Sequence, residues 1–346
     1  MNFESNTARK LVNVNNITHL EWLETRKKGI GGSDAPAIAR LTNPKYNSPL
    51  KVYEKKTEEV VTIEPPHEYA EMGHYYEPTI REIFKDKNPD LQVFTSDYMW
   101  QSIEFPFILA NIDGLIFDEK KGWGILEIKN LSEYRAKEFG EKVFPLEFQI
   151  QISHYLFCLG LKWGKFAVVI GGNKYREYDI ERNDDLIKSL IKIEQNFWEY
   201  HVLNRIPPEP DGSEASQKIL NELYTAADVK KKKDILTLSE ETKSLTEAYE
   251  FYKEEEKKAK AKKDKARQDL QALLGPYQTA QVEGDVKTIR WTINNAFNPG
   301  KVREIRPDLY KEYVKPKFDA TAFKKDYPTI HEECMVPTNS RTFNYR

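Results

Sequence analysis

The chain has two cysteines in 346 residues, Cys158 and Cys334, too few for a disulfide framework and at no metal-ligand spacing. Both are read as buried or incidental thiols of a reducing cytoplasm. No apolar run approaches the roughly eighteen residues of a membrane helix, and no secretory signal pattern opens the chain. A cytoplasmic location without membrane contact is therefore expected. An excess of one charge sign is also missing, since 53 Lys and Arg against 55 Asp and Glu leave a net charge of −2. A protein that coats nucleic acid indiscriminately does not have this balance. A DNA substrate stays open if basic residues line one channel, because the working field is local. There is no internal repeat. What the chain does have is 39% apolar residues, enough for a real core, and a length that allows one large domain with an appendage or two domains.

Residues 1–210 alternate helical and strand patterns. Leu20-Glu-Trp-Leu reads as a helix ahead of Arg26, and Gly29-Ile-Gly-Gly-Ser-Asp-Ala-Pro as a glycine-rich turn into a helix through Ile38 and Leu41. Ser33 or Asp34 would cap that helix, with Pro36 in its first turn. Met72–Phe84 reads as a helix with Tyr76, Ile80, Ile83 and Phe84 as its apolar stripe. Phe144–Leu159 has helical spacing, Phe166–Ile170 is a buried strand, and Asp185–Tyr200 is an amphipathic helix. The cluster Pro207-Pro208-Glu-Pro210 marks the expected domain boundary. Residues 211–275 would form a long charged arm, with a lysine run at 230–233 that is first of all a solvated face. The seam of its long helix, over 239–274, carries Leu245, Tyr249, Tyr252, Leu270 and Leu273 but is polar in the middle. Residues 276–346 read as a strand-rich extension, with Lys287–Ile293 as the clearest strand.

The chemistry gathers around Asn111-Ile-Asp113-Gly114 and Glu127-Ile-Lys129. Phe107–Ala110 reads as a strand entering Asp113 and continuing through Leu115-Ile-Phe. A turn near residue 120 leads to a return strand, Gly124–Ile128. That hairpin would bring Asp113 beside Glu127. Glu127 and Lys129 share a face because strand side chains repeat every two residues. Two acids and an amine at one sheet edge suit a divalent metal with a water-orienting lysine, which is hydrolytic chemistry on a phosphate. The plain alternative is an ion-pair ladder on adjacent strands. Three features weigh against it. Glu77, on the Gly73-His-Tyr-Tyr-Glu-Pro helix, could complete a set of hard oxygen ligands for Mg²⁺. The Gly29–Asp34 turn offers backbone N–H groups and the Ser33 hydroxyl to a phosphate. Arg26 can reach the same anion with a fork of donors. His74 and His154 read as packing histidines, and Tyr155 as core. One at least of Tyr75 and Tyr76 must face the core.

The ordered set Arg26…Gly-Ile-Gly-Gly-Ser33-Asp34, Gly73-x-x-x-Glu77-Pro, Ile-Asp113-Gly, Glu127-Ile-Lys129 and Gln151-Ile-Ser-His-Tyr155-Leu…Gly160 resembles the YqaJ-like viral recombinase family. That family includes phage lambda exonuclease and belongs to the PD-(D/E)XK nuclease superfamily. The resemblance runs from about residue 20 to 172. Ile112 stands where the superfamily name has proline, and Ser153 replaces the second glutamine of the Gln-x-Gln-x-Tyr pattern.

The resemblance implies an α/β, restriction-endonuclease-like core, a mixed central sheet flanked by helices, over 1–210. It implies that Asp113, Glu127 and the Ile128 carbonyl ligate the metal, with Glu77 bound directly or through water. Lys129 would orient or deprotonate the attacking water, and Gln151 would steady the metal–water network. Arg26 and Ser33 would bind the terminal or scissile phosphate. The implied cofactor is Mg²⁺, with Mn²⁺ as a substitute, one or two per site. The implied activity is 5′ to 3′ degradation of linear double-stranded DNA from its ends, leaving 3′ overhangs for a single-strand-annealing recombination protein. A homo-oligomeric ring, trimer or tetramer, in the cytoplasm of a bacterial host is implied as well. An endonuclease on the same core and a non-catalytic DNA-end or partner-binding module are the alternatives.

Overall fold

The structure, a computed structural model, describes residues 3–61, 63, 68–223, 235–284, 288–292, 299–313 and 320–333. The chain divides into two compact units, Met1–Ala227 with Asn339–Arg346, and Asp228–Thr338.

In the first unit the elements run β1 (Ala8–Asn13), α1 (His19–Lys27), β2 (Ile30–Gly31), α2 (Ala35–Ile38), α3 (Pro49–Thr57), α4 (Glu68–Lys87), β3 (Gln92–Thr95), β4 (Tyr98–Ser102) and β5 (Ile108–Ala110). They continue with β6 (Gly114–Asp118), β7 (Gly122–Leu131), α5 (Leu146–Leu159), β8 (Trp163–Ile170), β9 (Lys174–Glu181), α6 (Asp184–Asn196) and α7 (Glu214–Leu223). The central sheet has the order β3-β6-β7-β8-β9. β7 and β8 run parallel, with α5 in the crossover between them, and the other neighbours are antiparallel. A second sheet has the order β1-β4-β5-β2.

Alternation along β7 sends its residues to two different layers. Leu126 and Ile128 are buried with Ile80 and Phe84 of α4. Ile125 is buried on the other face with Ile152 and Leu156 of α5 and with Phe166 and Val168 of β8. Helices thus cover both faces of a mixed sheet, which is the restriction-endonuclease-like arrangement expected. Each fully buried Leu, Ile or Phe contributes about 1.5–3 kcal/mol, so this two-faced core dominates the stability of the unit.

Two expectations change. The segment from Phe107 to Phe117 is not one strand, because β5 pairs with β4 and β2 in the second sheet while β6 pairs with β3 and β7 in the central one. The chain changes sheets at Asn111-Ile-Asp113. The first unit also runs past the proline cluster. The Ala215 N–H donates to the Pro44 carbonyl at 3.2 Å, and Ala215 and Ile219 of α7 are buried. The cluster is therefore a loop within the unit, since α7 has an apolar face to bury.

In the second unit α8 spans Lys243–Leu274, and β10 (Thr279–Gln281) and β11 (Thr288–Arg290) form an antiparallel ribbon. Helices α9 (Pro299–Ile305), α10 (Pro307–Tyr313), α11 (Ala320–Asp326) and α12 (Pro328–Glu333) follow. The described part of 276–346 is thus more helical than strand-rich. Each of these short helices opens at or next to a proline or alanine, residues suited to a first turn. The lysine run at 230–233 and Cys334 lie outside the described residues. No helix among the described residues is long and apolar enough to cross a membrane.

Candidate active site

The break between β5 and β6 creates the site. Gly114 pairs with Leu126, so Asp113 lies one step beyond the end of the β6 ladder, opposite Glu127. Its Oδ2 accepts the Ile128 N–H at 2.8 Å. N–H and C=O of one strand residue point to the same side, so the Ile128 carbonyl faces this gap, where β6 has ended. The turn of the hairpin is held by Asp118, whose Oδ1 accepts the N–H groups of Lys120 and Lys121 at 2.7 and 2.8 Å.

Glu127 is 1% exposed. Its Oε1 accepts from the Lys129 ammonium in a short contact and from Gln151 Nε2 at 2.6 Å. Its Oε2 is buried with no partner. Burial, then the neighbouring Asp113 charge, push the Glu127 carboxyl up to about 8 despite Lys129. Burial works against the Lys129 ammonium, but Glu127 and Asp113 hold it well above the usual lysine range. Glu77 comes from α4, the layer opposite Gln151, and its carboxyl is raised by burial and by Asp113. A short ion pair holds Glu77 to Arg81, which also donates to the Asp113 carbonyl at 2.9 Å.

A hard divalent cation fits this donor set. An orphaned buried carboxylate oxygen, a second carboxylate one strand away and a free-edge carbonyl are oxygen ligands short of positive charge. Glu77 is the exception, since Arg81 already neutralises it. Among the described residues no three His, Cys, Asp or Glu side chains form a ready-made cage.

The second element is the glycine turn between α1 and α2. Arg26 lies 4.9 Å from the Trp22 ring centroid and donates to Ser33 Oγ at 2.8 Å. Ser33 is exposed and the Arg26 side chain partly so. The turn needs glycine for close approach. A Cβ on Gly32 would come within 2.4 Å of the Tyr155 ring, and one on Gly29 within 2.5 Å of the Phe107 carbonyl. Backbone N–H groups are less available than expected, because Gly31 N–H is spent on Asp34 Oδ2 at 3.0 Å. Asp34 precedes α2 without a side-chain cap bond, and α2 stops at Ile38, ahead of Arg40 at φ 59°.

Tyr155 joins the two elements. Its ring lies against Gly32, and its hydroxyl accepts from Gln151 Nε2 at 3.3 Å, the same amide that donates to Glu127. His154 is fully buried between Glu194 (2.8 Å) and the Leu109 carbonyl (2.9 Å), the satisfied packing histidine expected. Ser153 is buried, Tyr76 packs on the α4 cluster, and Tyr75 and His74 are exposed. His74 is therefore not a packing histidine, because it is exposed on α4, one turn before Glu77. Three contributors escaped the sequence reading. Arg81 had a legible signal, four residues from Glu77 on one helix. The link through Tyr155 had none, and neither did Lys56, which pairs with Asp34 at 2.7 Å from a separate helix.

The sequence profile of the YqaJ-like viral recombinase domain matches residues 21–162. A Bacillus subtilis protein named YqaJ is 31% identical over 323 residues, covering 90% of this chain and 95% of that protein. An alkaline exonuclease from Laribacter hongkongensis superposes with a TM-score of 0.44 at 19% identity, over 59% of this chain and 98% of the other. A phage-related exonuclease from Haemophilus somnus gives a TM-score of 0.38 at 12% identity, over 51% and 96%.

Proposed function

This chain belongs to the YqaJ family of viral recombinases, and on that premise we propose that it is a Mg²⁺-dependent nuclease that degrades linear double-stranded DNA from its ends. The observation that carries the reading is the buried, unpartnered Oε2 of Glu127 beside Asp113, with Lys129 and Gln151 fixing the other oxygen. Glu194 Oε2 is also buried without a partner, but there one acid meets His154, whereas at Glu127 the second carboxylate of Asp113 adjoins the orphaned group.

Asp113, Glu127 and the Ile128 carbonyl would hold the metal, one or two ions, with Mn²⁺ as a substitute. When bound, the metal polarises the phosphoryl oxygen and lowers the pKa of water. Lys129 orients the attacking water and donates to the phosphate. Glu127 and Asp113 hold its ammonium charged while no metal is bound, and a metal that took up their charge would free Lys129 to orient or deprotonate that water. Gln151 keeps Glu127 in one rotamer. Glu77 acts through water, since Arg81 occupies its carboxylate. Arg26 and Ser33 take the phosphate at the DNA end. We further propose that digestion runs 5′ to 3′, in a homo-oligomer of three or four chains, and hands 3′ overhangs to a single-strand-annealing protein.

One assay tests the core of this reading. Linear and closed-circular duplexes are incubated with Mg²⁺ or with chelator, using wild type and Glu127→Ala. Nucleotide release is expected from linear DNA alone, only with Mg²⁺, and to fall by on the order of 10³-fold in the variant. Cutting of the closed circle would make it an endonuclease, and no release at all would make it a binding module.

A further inference from the structure

We propose that Lys56 is a positioning residue of the phosphate turn: by clamping Asp34 and the carbonyl of Arg26, it holds the Arg26 guanidinium in place, keeps the turn net cationic, and so sets the preference for a phosphorylated DNA end. The proposal rests on the reading of Arg26 and Ser33 as the groups that take the end phosphate.

Lys56 comes from α3, where Leu50, Val52 and Tyr53 are core, and its own side chain is 5% exposed. Its ammonium lies 2.7 Å from Asp34 Oδ2 and donates to the Arg26 carbonyl at 2.9 Å. That carbonyl is in the last turn of α1, where the helix dipole favours a cation. One buried ammonium therefore joins α1, the glycine turn and α3. Arg26 is held at both ends as a result. Its carbonyl is fixed by Lys56, and its guanidinium by Ser33 Oγ at 2.8 Å, Asp34 Oδ1 at 3.6 Å and the Trp22 ring. A guanidinium already immobilised loses little further freedom when an anion arrives.

The charges make the second half of the case. Arg26 and Asp34 alone would cancel, and an incoming phosphate would meet a carboxylate beside the guanidinium it seeks. Lys56 adds the positive charge that leaves the turn net +1. A buried ion pair is a poor device for stability, since apolar side chains of the same volume often hold two elements together as well or better. The pair makes sense as part of an anion site.

The experiment compares 5′-phosphorylated with 5′-hydroxyl linear duplexes, using the full chain as wild type, Arg26→Ala, Lys56→Met, Lys56→Gln and Lys56→Arg. The preference is read twice, as a ratio of kcat/KM with Mg²⁺ and as a ratio of affinities in chelator, where no cleavage is needed. Thermal melts report folding. Lys56→Met is expected to cut the preference by about 10- to 100-fold, through the phosphorylated substrate alone. Lys56→Gln keeps a donor and loses the charge, so it is expected to lose the same preference if the Met variant does not fold. Lys56→Arg is expected to retain most of it. An unchanged ratio in the Met and Gln variants, or an equal loss on both substrates, overturns the proposal if Arg26→Ala still abolishes the preference. If Arg26→Ala also leaves the ratio unchanged, the phosphate reading of Arg26 falls, and this proposal with it.

Discussion

Asp34 and Glu127 are both acids enclosed by protein, each touching a lysine, and their surroundings push them in opposite directions. Burial alone would raise the Asp34 carboxyl, yet the Lys56 and Arg26 charges hold it well below the usual carboxylate range. Glu127 has one lysine against Asp113 and Glu77, and it is pushed up to about 8. Asp34 has both oxygens engaged, whereas Glu127 has one oxygen with none. The glycine turn is thus electrostatically complete within this chain, while the hairpin site lacks positive charge. The balance of charges decides which site is finished: two cations serve one acid at the turn, whereas Lys129 and Arg81 serve three acids, Glu77, Asp113 and Glu127, at the hairpin.

That contrast breaks first on stability. Asp34→Leu leaves Lys56 buried and uncompensated, and is expected to cost about 3–5 kcal/mol in urea unfolding without metal. Glu127→Gln, under the same conditions at pH 8, is expected to cost less, because Lys129 keeps Asp113 as a counter-charge and the crowding of the two carboxylates is relieved. Equal losses in the two variants would show that Glu127 is not short of a cation.

A smaller effect sharpens the comparison at the hairpin. Gln151→Ala frees Glu127 to leave its rotamer, and is expected to raise the Mg²⁺ concentration for half-maximal activity by about 10- to 100-fold. If only kcat falls, with the Mg²⁺ requirement unchanged, Gln151 does not act through the carboxylate.

The pH dependence is the finest discriminator. Glu127 has a raised value in the folded state, so the folded protein binds the extra proton. Stability from this group therefore falls as pH rises from its ordinary value near 4.5 to about 8. Asp34 has a depressed value, so its contribution is present above its ordinary value near 3.8 and is lost as pH falls below that toward the folded value. Because a metal needs the carboxylate, the rise in melting temperature caused by Mg²⁺ is expected to grow between pH 6 and pH 8 in wild type and to be flat in Glu127→Gln. A wild-type shift that is flat over this range would separate Glu127 from metal binding.

Much of this site was legible in the chain. Asp113, Glu127 and Lys129 follow from strand periodicity and one turn, and the structure brings all three together. Arg26 and Ser33 meet as their spacing suggested. The helices at Met72–Phe84, Phe144–Leu159 and Asp185–Tyr200 lie within or close to α4, α5 and α6, because long amphipathic patterns leave few other ways to bury an apolar face. The continuous strand through Asp113 was not legible as a break. Phe107–Ala110 and Leu115–Phe117 are equally apolar, and local pattern holds no information on which sheet each joins. The end of the first unit was misplaced for a similar reason, since three prolines mark a loop whether or not a helix beyond it packs back.

Local sequence determined which residues are acids, amines and strand formers, and therefore the kind of chemistry the chain can support. Tertiary structure decided their charge states and their completeness. Lys56 reaches Asp34 from a separate helix, Arg81 silences Glu77 from the next turn of its own, and Tyr155 ties Gly32 to Gln151 across the core. Burial and the number of opposite charges within a few ångströms set the protonation of an acid, and both are properties of packing that no spacing along the chain encodes.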